Sequence, residues 1–252
     1  ILMNGLYNGE KGESHRARIP NYSNVSTSAE CNQDVCAYTL DMRKGIFQNV
    51  INTASTHRVR QQLCAHRFFN RAIFNHFRLE RASSSARLSV QLSIEAGEVP
   101  SVDLDEVKVT VENIAGKNVT IRCYETKIRE DSYYQPTPSK ACIGYTNPPS
   151  ELSIEVSQNV KDYLHITTVA KSEEEVIKEL SDIFNALNLG TDLLANHTAT
   201  WESHWNRFEI SADDGTKTNQ IIHASMFYLI SNLPSEETNQ PNDPFWGLSP
   251  GG

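Results

Sequence analysis

Ser249 lies in Gly247-Leu248-Ser249-Pro250-Gly251, the G-x-S-x-G spacing that holds a serine hydroxyl ready to attack a carbonyl carbon. Such an elbow needs a buried strand before the serine and a helix after it. Here Pro241, Asn242, Asp243 and Pro244 come first, so the segment reads as a loop. Gly5, Gly9 and Gly12 do not build a phosphate cradle, because Lys11 precedes the last glycine and no hydroxyl residue takes the magnesium position. Asp103, Asp105 and Glu106 crowd carboxylates together but lack the glycine and distal glutamate of a calcium loop, and read as solvated loop residues. His57, His66 and His76 fit hydrogen-bonded sheet positions as readily as a metal site; no HExxH occurs, and no metal or cofactor is assigned. General acid-base chemistry needs carboxylates held in a cleft with separated pKa values. The densest acidic run, Glu173-Glu174-Glu175, is instead favourable charge on a helix N-terminus. No catalytic residue is assigned.

The cysteines Cys31, Cys36, Cys64, Cys123 and Cys142 show no CxxC spacing. Cys64 and Cys123 fall in strand-like alternation and read as small buried hydrophobes. Cys31 and Cys36 lie in a polar loop, either bridged or free. Asn-x-Ser/Thr sequons at Asn21, Asn24, Asn118 and Asn196 are glycosylation candidates and lean toward the secretory route, with a cytoplasmic location still open.

These residues must be positioned by two kinds of element. From about Ala37 to Val169 the apolar period is two. Leu88, Val90, Leu92 and Ile94 alternate with Ser89, Gln91 and Ser93, and Val107, Val109 and Val111 alternate with Lys108 and Thr110. Short strands with one apolar face each, punctuated by turns, predict a mainly β chain built as an antiparallel β-sandwich. The stretch from His57 to Arg81, rich in Arg, His and Phe, interrupts this alternation; it reads as a ligand-facing strand pair or as a solvated sheet face.

After Ala170 the period becomes 3.6. Ser172 and Glu175 form a capping box, Val176, Ile177, Leu180, Ile183, Phe184 and Leu187 a stripe, and Gly190 a stop. A second helix carries Leu194, Trp201, Trp205 and Phe208. A third, Asn219 to Ser231, is apolar nearly all round and should therefore be buried by several partners. The beginning at Ile1-Leu2-Met3 and the closing Gly/Pro loop predict a fragment. A net charge of -8 disfavours nucleic acid as a partner, and no apolar run approaches the roughly 20 residues that span a bilayer.

Gly5-Leu6-Tyr7-Asn8-Gly9, followed by Glu13-Ser14-His15-Arg16-Ala17-Arg18-Ile19-Pro20-Asn21, resembles the N-terminal signature of the acid-trehalase and kojibiose/maltose-phosphorylase family of glycoside hydrolases. Phe245-Trp246-Gly247-Leu248-Ser249-Pro250-Gly251-Gly252 resembles the stretch that enters the first active-site loop in an animal branch of that family. The resemblance implies an N-terminal β-sandwich over residues 1–170, linker helices over 171–216, and over 217–252 the first helix of an α/α catalytic barrel cut short. It implies inversion at an α-glucosidic bond, with acid and base roughly 6.5–9.5 Å apart. Both would lie downstream of Gly252, as would the sugar-binding Trp-Asp motif. The implied partner is an α-glucoside, in the animal branch the glucosyl-galactosyl-hydroxylysine of collagen. His15, Arg16 and Arg18 fall on the family's N-terminal loop and are the substrate-binding candidates, with an interface or loop-stabilising role as their other reading. A trehalase or a phosphorylase is a variant within this class. The alternative from another class is a free-standing carbohydrate-binding or scaffold sandwich, in which Phe68, Phe69, Phe74 and Phe77 would stack on sugar unless they are core.

Overall fold

The structure is a computed structural model that describes residues 6–10, 13–29, 36–53, 56–83, 85–97, 99–129, 138–207, 210 and 216–233. The N-terminal loop carries β1 (Tyr7–Asn8) and β2 (His15–Arg16), followed by β3 (Val25–Thr27), β4 (Cys36–Asp41), β5 (Ile46–Thr53), β6 (His57–Ala65), β7 (Ala72–Arg81) and β8 (Leu88–Ile94). Then come β9 (Leu104–Ile114), β10 (Lys117–Thr126), β11 (Lys140–Thr146), β12 (Glu151–Ile154) and β13 (Val160–Ala170), and the helices α1 (Glu173–Asn188), α2 (Leu193–Trp205) and α3 (Thr216–Asn232). Eight strands form one antiparallel sheet in the order β4-β5-β6-β7-β13-β11-β10-β9, and β12-β8-β3 form a second. The expected mainly β, antiparallel sandwich is present.

Strand β7 shows how the layers are specified. Side chains alternate between faces, so Phe77 and Leu79 meet Val25, Val90, Leu92, Leu152 and Ile154 of the small sheet. Ala72 and Phe74, on the other face, meet Val176, Leu180, Ile183 and Phe184 of α1. Burying each of those four helix side chains is worth about 2 kcal/mol before entropy. Ser172 Oγ accepts Glu175 N–H while Glu175 Oε2 accepts the Lys171 N–H, so the capping box forms one residue wider than expected. Gly190, at φ +81°, closes the C-terminus. Gly144 of β11 lets α1 approach: a Cβ there would stand 2.4 Å from Val176 Cγ1.

Beyond α1 the same sheet face turns polar. Arg78 and His76 pair with Asp162, and Arg58 and Arg60 face Glu80, so the basic stretch from His57 to Arg81 is a strand pair with one solvated side. Its phenylalanines are core: Phe69, Phe74 and Phe77 are buried, and Phe68, partly buried, packs against the cluster that holds Phe69 and Phe74. No sugar-stacking platform remains there.

Three expectations are corrected. Cys123 is not a lone buried thiol. It lies directly opposite Cys142 on β11 and is bonded to it, because the register places two cysteines at one rung. Cys36 is also disulfide-bonded, Cys31 lies outside the described residues, and Cys64 is a free buried thiol as expected. The valine face of β9 is not covered: Lys108 and Thr110 engage Glu173 of α1, while Val107, Val109 and Val111 remain exposed on an edge strand that the small sheet does not reach. The third helix buries only Phe227 and Ile230, since α2 covers one side and no other described element covers the rest.

Candidate functional site

The N-terminal loop reaches its position through its apolar residues. Leu6, Ala17, Ile19 and Tyr22 are buried with Leu104, Tyr124, Ile143 and Tyr145 at the β9-β10-β11 end of the large sheet. Asn8 Oδ1 accepts the Ile128 N–H at 2.7 Å, and Gly9, at φ +134°, donates its N–H to Ile128 O. Tyr22 stacks on Tyr145 with centroids 4.6 Å apart, and its carbonyl accepts a 2.8 Å bond from Nε2 of buried His165. The strand pair β1-β2, in register Asn8 with His15 and Tyr7 with Arg16, is thereby held on the sandwich.

This placement sets His15 and Arg18 over Asp103. His15 Nε2 donates to Asp103 Oδ1 at 3.0 Å, and Arg18 donates from its backbone N (3.0 Å) and Nε (2.9 Å) to Oδ2. Asp103 is 5% exposed at its side chain, whereas His15 and Arg18 are about half exposed, at 51% and 49%. Burial alone would push this carboxyl up. The donors from Arg18 and His15 outweigh it and hold Asp103 at about 2, ionised at any physiological pH. Ser101 completes the knot, donating its hydroxyl to Arg18 O and accepting the Asp103 and Leu104 N–H groups. The reading of Asp103 as a solvated loop carboxylate is overturned, because its partners come from the N-terminal loop. Asp105 and Glu106 stand on strand β9, and Glu106 bonds Arg122 and Tyr124.

Of the substrate-binding candidates, His15 and Arg18 converge on one carboxylate. Arg16, next to His15 in β2, points to the other side of that strand, as neighbours in a strand do. The arrangement presents a fixed imidazole and guanidinium at the surface, able to donate hydrogen bonds to hydroxyl or carboxylate oxygens. Among the described residues the cluster joins its donors to a single carboxylate, an arrangement suited to binding or anchoring.

A second cluster, which sequence reading missed, fixes the helices to the sandwich. In the turn after β6, His66 Nδ1 accepts the Phe68 and Phe69 N–H groups and its Nε2 donates to Leu193 O at 2.9 Å. His197 of α2 accepts the Arg67 N–H at Nδ1 and donates from Nε2 to Gly45 O. Both rings are buried, 5.4 Å apart, and neutral. Burial pushes each down to about 4, and their mutual repulsion adds to the effect at His197. Arg67 lies over the Trp201 ring at 5.2 Å, bonds His204 and donates to Leu233 O beyond α3. Trp201 stacks on Phe227 of α3 and fills the space a side chain at Gly45 would need, and Trp205 Nε1 donates to Met42 O. The turns after β4 and β6 thus dock α2, and through it α3. His57 and His76 serve the sheet: His57 bonds Thr56, and His76 pairs with Asp162. The Gly247–Gly251 motif, Phe208, Gly5, Lys11 and Gly12 lie outside the described residues. Among the described residues no helix is long and apolar enough to cross a membrane.

No model of a protein family matches the chain. The resemblance is nonetheless borne out by curated relatives along its whole length. Protein-glucosylgalactosylhydroxylysine glucosidase of Gallus gallus is 27% identical over 254 residues, which are 100% of this chain and 35% of that protein. The Danio rerio protein of the same name is 25% identical over 262 residues, covering 99% of this chain and 37% of the relative. That of Dictyostelium discoideum is 23% identical over 267 residues, covering 100% and 35%. A solved structure named "Putative kojibiose phosphorylase from human microbiome" superposes with a TM-score of 0.53 at 14% identity, over 91% of this chain and 35% of that one, and shares its fold. The chain spans about a third of the length of the curated relatives it matches.

Proposed function

We propose that this chain is the N-terminal, non-catalytic part of an inverting α-glucosidase that removes glucose from glucosyl-galactosyl-hydroxylysine of collagen. The observation that carries this reading is the end-to-end match to three proteins named for that reaction, each about three times as long. On this reading residues 1–170 are the sandwich, 171–216 link it, and α3 in 217–252 begins an α/α barrel whose remainder supplies the acid and base. Inversion then proceeds by protonation of the leaving oxygen and attack of a base-activated water from the opposite face of the sugar. The part played by this chain is positional. The junction of His66, Arg67, His197 and Trp201 sets the direction of α3, and the Asp103 knot presents His15 and Arg18 as donors toward the substrate entrance or the barrel wall.

The test is glucose release from the purified disaccharide. A protein extended along the same reading frame should release it, and the 252-residue chain should not. Release by the 252-residue chain would overturn the reading. In the extended protein, His15→Ala and Arg18→Ala separate the roles of the knot: a raised KM at constant thermal midpoint marks substrate contact, whereas a lowered midpoint at constant KM marks anchoring.

A further inference from the structure

Disulfides form and persist in oxidising compartments, and oligosaccharide is transferred to Asn-x-Ser/Thr in the secretory lumen. The chain holds the Cys123–Cys142 bond and a second disulfide at Cys36, and it carries four sequons. The fold divides those sequons. Asn24 is exposed just before β3, Asn118 at the start of β10, and Asn196 on the outer side of α2. Asn21 is half-buried, and its Oδ1 holds both the backbone N–H (3.1 Å) and the hydroxyl (2.6 Å) of buried Ser23. It also precedes Asn24 by only three residues, so a glycan on one crowds the other.

Asn118 has a further property. In the β9-β10 ladder Asn118 opposes Asn113, Thr120 opposes Val111 and Arg122 opposes Val109. Opposed residues share a face, so Asn118 stands on the face that bears Val111 and Val109, which are 68% and 47% exposed. Asn118 and Val111 are diagonal neighbours at roughly 7–8 Å, within the span of one pyranose ring. Asn113 Nδ2 donates to Asn118 Oδ1 at 2.9 Å, and Thr120 of this sequon is buried and donates its hydroxyl to Asn147 Oδ1 at 3.1 Å; what separates Asn118 from Asn21 is the exposure of the asparagine itself and its distance from any other sequon.

We propose that this protein is N-glycosylated at Asn24, Asn118 and Asn196 and not at Asn21, and that the first sugar on Asn118 covers Val111, the near end of the valine stripe of β9. In each transfer, Asn Nδ2 forms a bond to C1 of the reducing-end N-acetylglucosamine of a lipid-diphosphate oligosaccharide. The C1–O bond to the diphosphate breaks, the lipid diphosphate departs with the electron pair, and Nδ2 loses one proton. The apolar C–H face of the sugar ring then takes the place of the second sheet that β9 lacks. Neither step depends on the glucosidase reading.

The experiment is peptide-N-glycosidase treatment, in heavy-oxygen water, of protein isolated from its natural source, with mass mapping of the peptides. Labelled Asp is expected at positions 24, 118 and 196 and unlabelled Asn at 21. Unmodified Asn118 or Asn196, or a glycan on Asn21, overturns the assignment. Covering of Val111 is read on the same folded protein before and after removal of the glycans. Binding of a hydrophobic dye should rise on removal, and the rise should be lost in a Val109→Thr/Val111→Thr variant. Unchanged dye binding, or a rise that survives in that variant, overturns the covering role.

Discussion

Asp103 concentrates the electrostatics of the N-terminal loop in one buried carboxylate with three charge-assisted donor contacts. Asp103→Ala should lower stability by about 1–3 kcal/mol, the lower end applying because His15 and Arg18 can turn to water. Its folded-state value lies below the ordinary carboxylate value, so the contribution is complete above about pH 3.8 and is lost as the pH falls through about 2. The deficit of the variant should therefore be constant from pH 5 to 8 in thermal unfolding, and a deficit that vanishes at pH 5 would contradict it. The residue-level reading singled out His15, Arg16 and Arg18 through the family motif, and two of them meet at Asp103, which that reading misjudged because nothing within its own neighbourhood signals a partner 85 positions away. Cys123 was misread for the same reason: its partner is supplied by strand register, which is a property of pairing and not of spacing.

The attachment of α2 to the sandwich rests on two neutral imidazoles that each need one nitrogen free to accept. Protonation converts that acceptor into a donor facing a backbone N–H, beside Arg67 and the other ring. The folded-state values near 4 lie below the ordinary value near 6.5, so the unfolded chain binds more protons between them and stability falls as pH drops through this window. Each imidazole contributes on the order of 3 kcal/mol that is complete above pH 6.5 and lost by about pH 4. The thermal midpoint of this chain should fall steeply between pH 6.5 and 4, and His197→Gln, which keeps a donor and an acceptor, should flatten the slope. A midpoint independent of pH over that interval would refute the assignment. At this scale the periods of two and 3.6 predicted the elements well, including the Ser172 start and the Gly190 stop. They did not tell which apolar faces are covered, because alternation marks a face as apolar whether or not a second layer reaches it; the valines of β9 and the outer side of α3 are the cases that show this.

Among the described elements, apolar surface is left uncovered along the valines of β9 and on the outer side of α3. Ile221, Tyr228, Leu229 and Leu233 are all between 44% and 62% exposed along α3 and just past it, an apolar patch of the kind that marks an interaction face. The 252-residue chain should therefore self-associate and bind hydrophobic dye, and Ile221→Ser/Leu229→Ser should restore a monomer in light scattering at an unchanged thermal midpoint; a monomeric parent chain without dye binding would refute this. The loop that opens the chain poses a different problem, one of time. Leu6, Ile19 and Tyr22 leave a ribosome well before the surface that receives them, which is made by Tyr124, Ile143 and Tyr145, more than a hundred residues later. At about 5–20 residues per second, that interval is roughly 6–25 s. For its duration the nascent chain carries this loop as an unattached apolar segment, within reach of chaperones, and the residues His15 and Arg18 on it can settle only after the sheet beneath them exists.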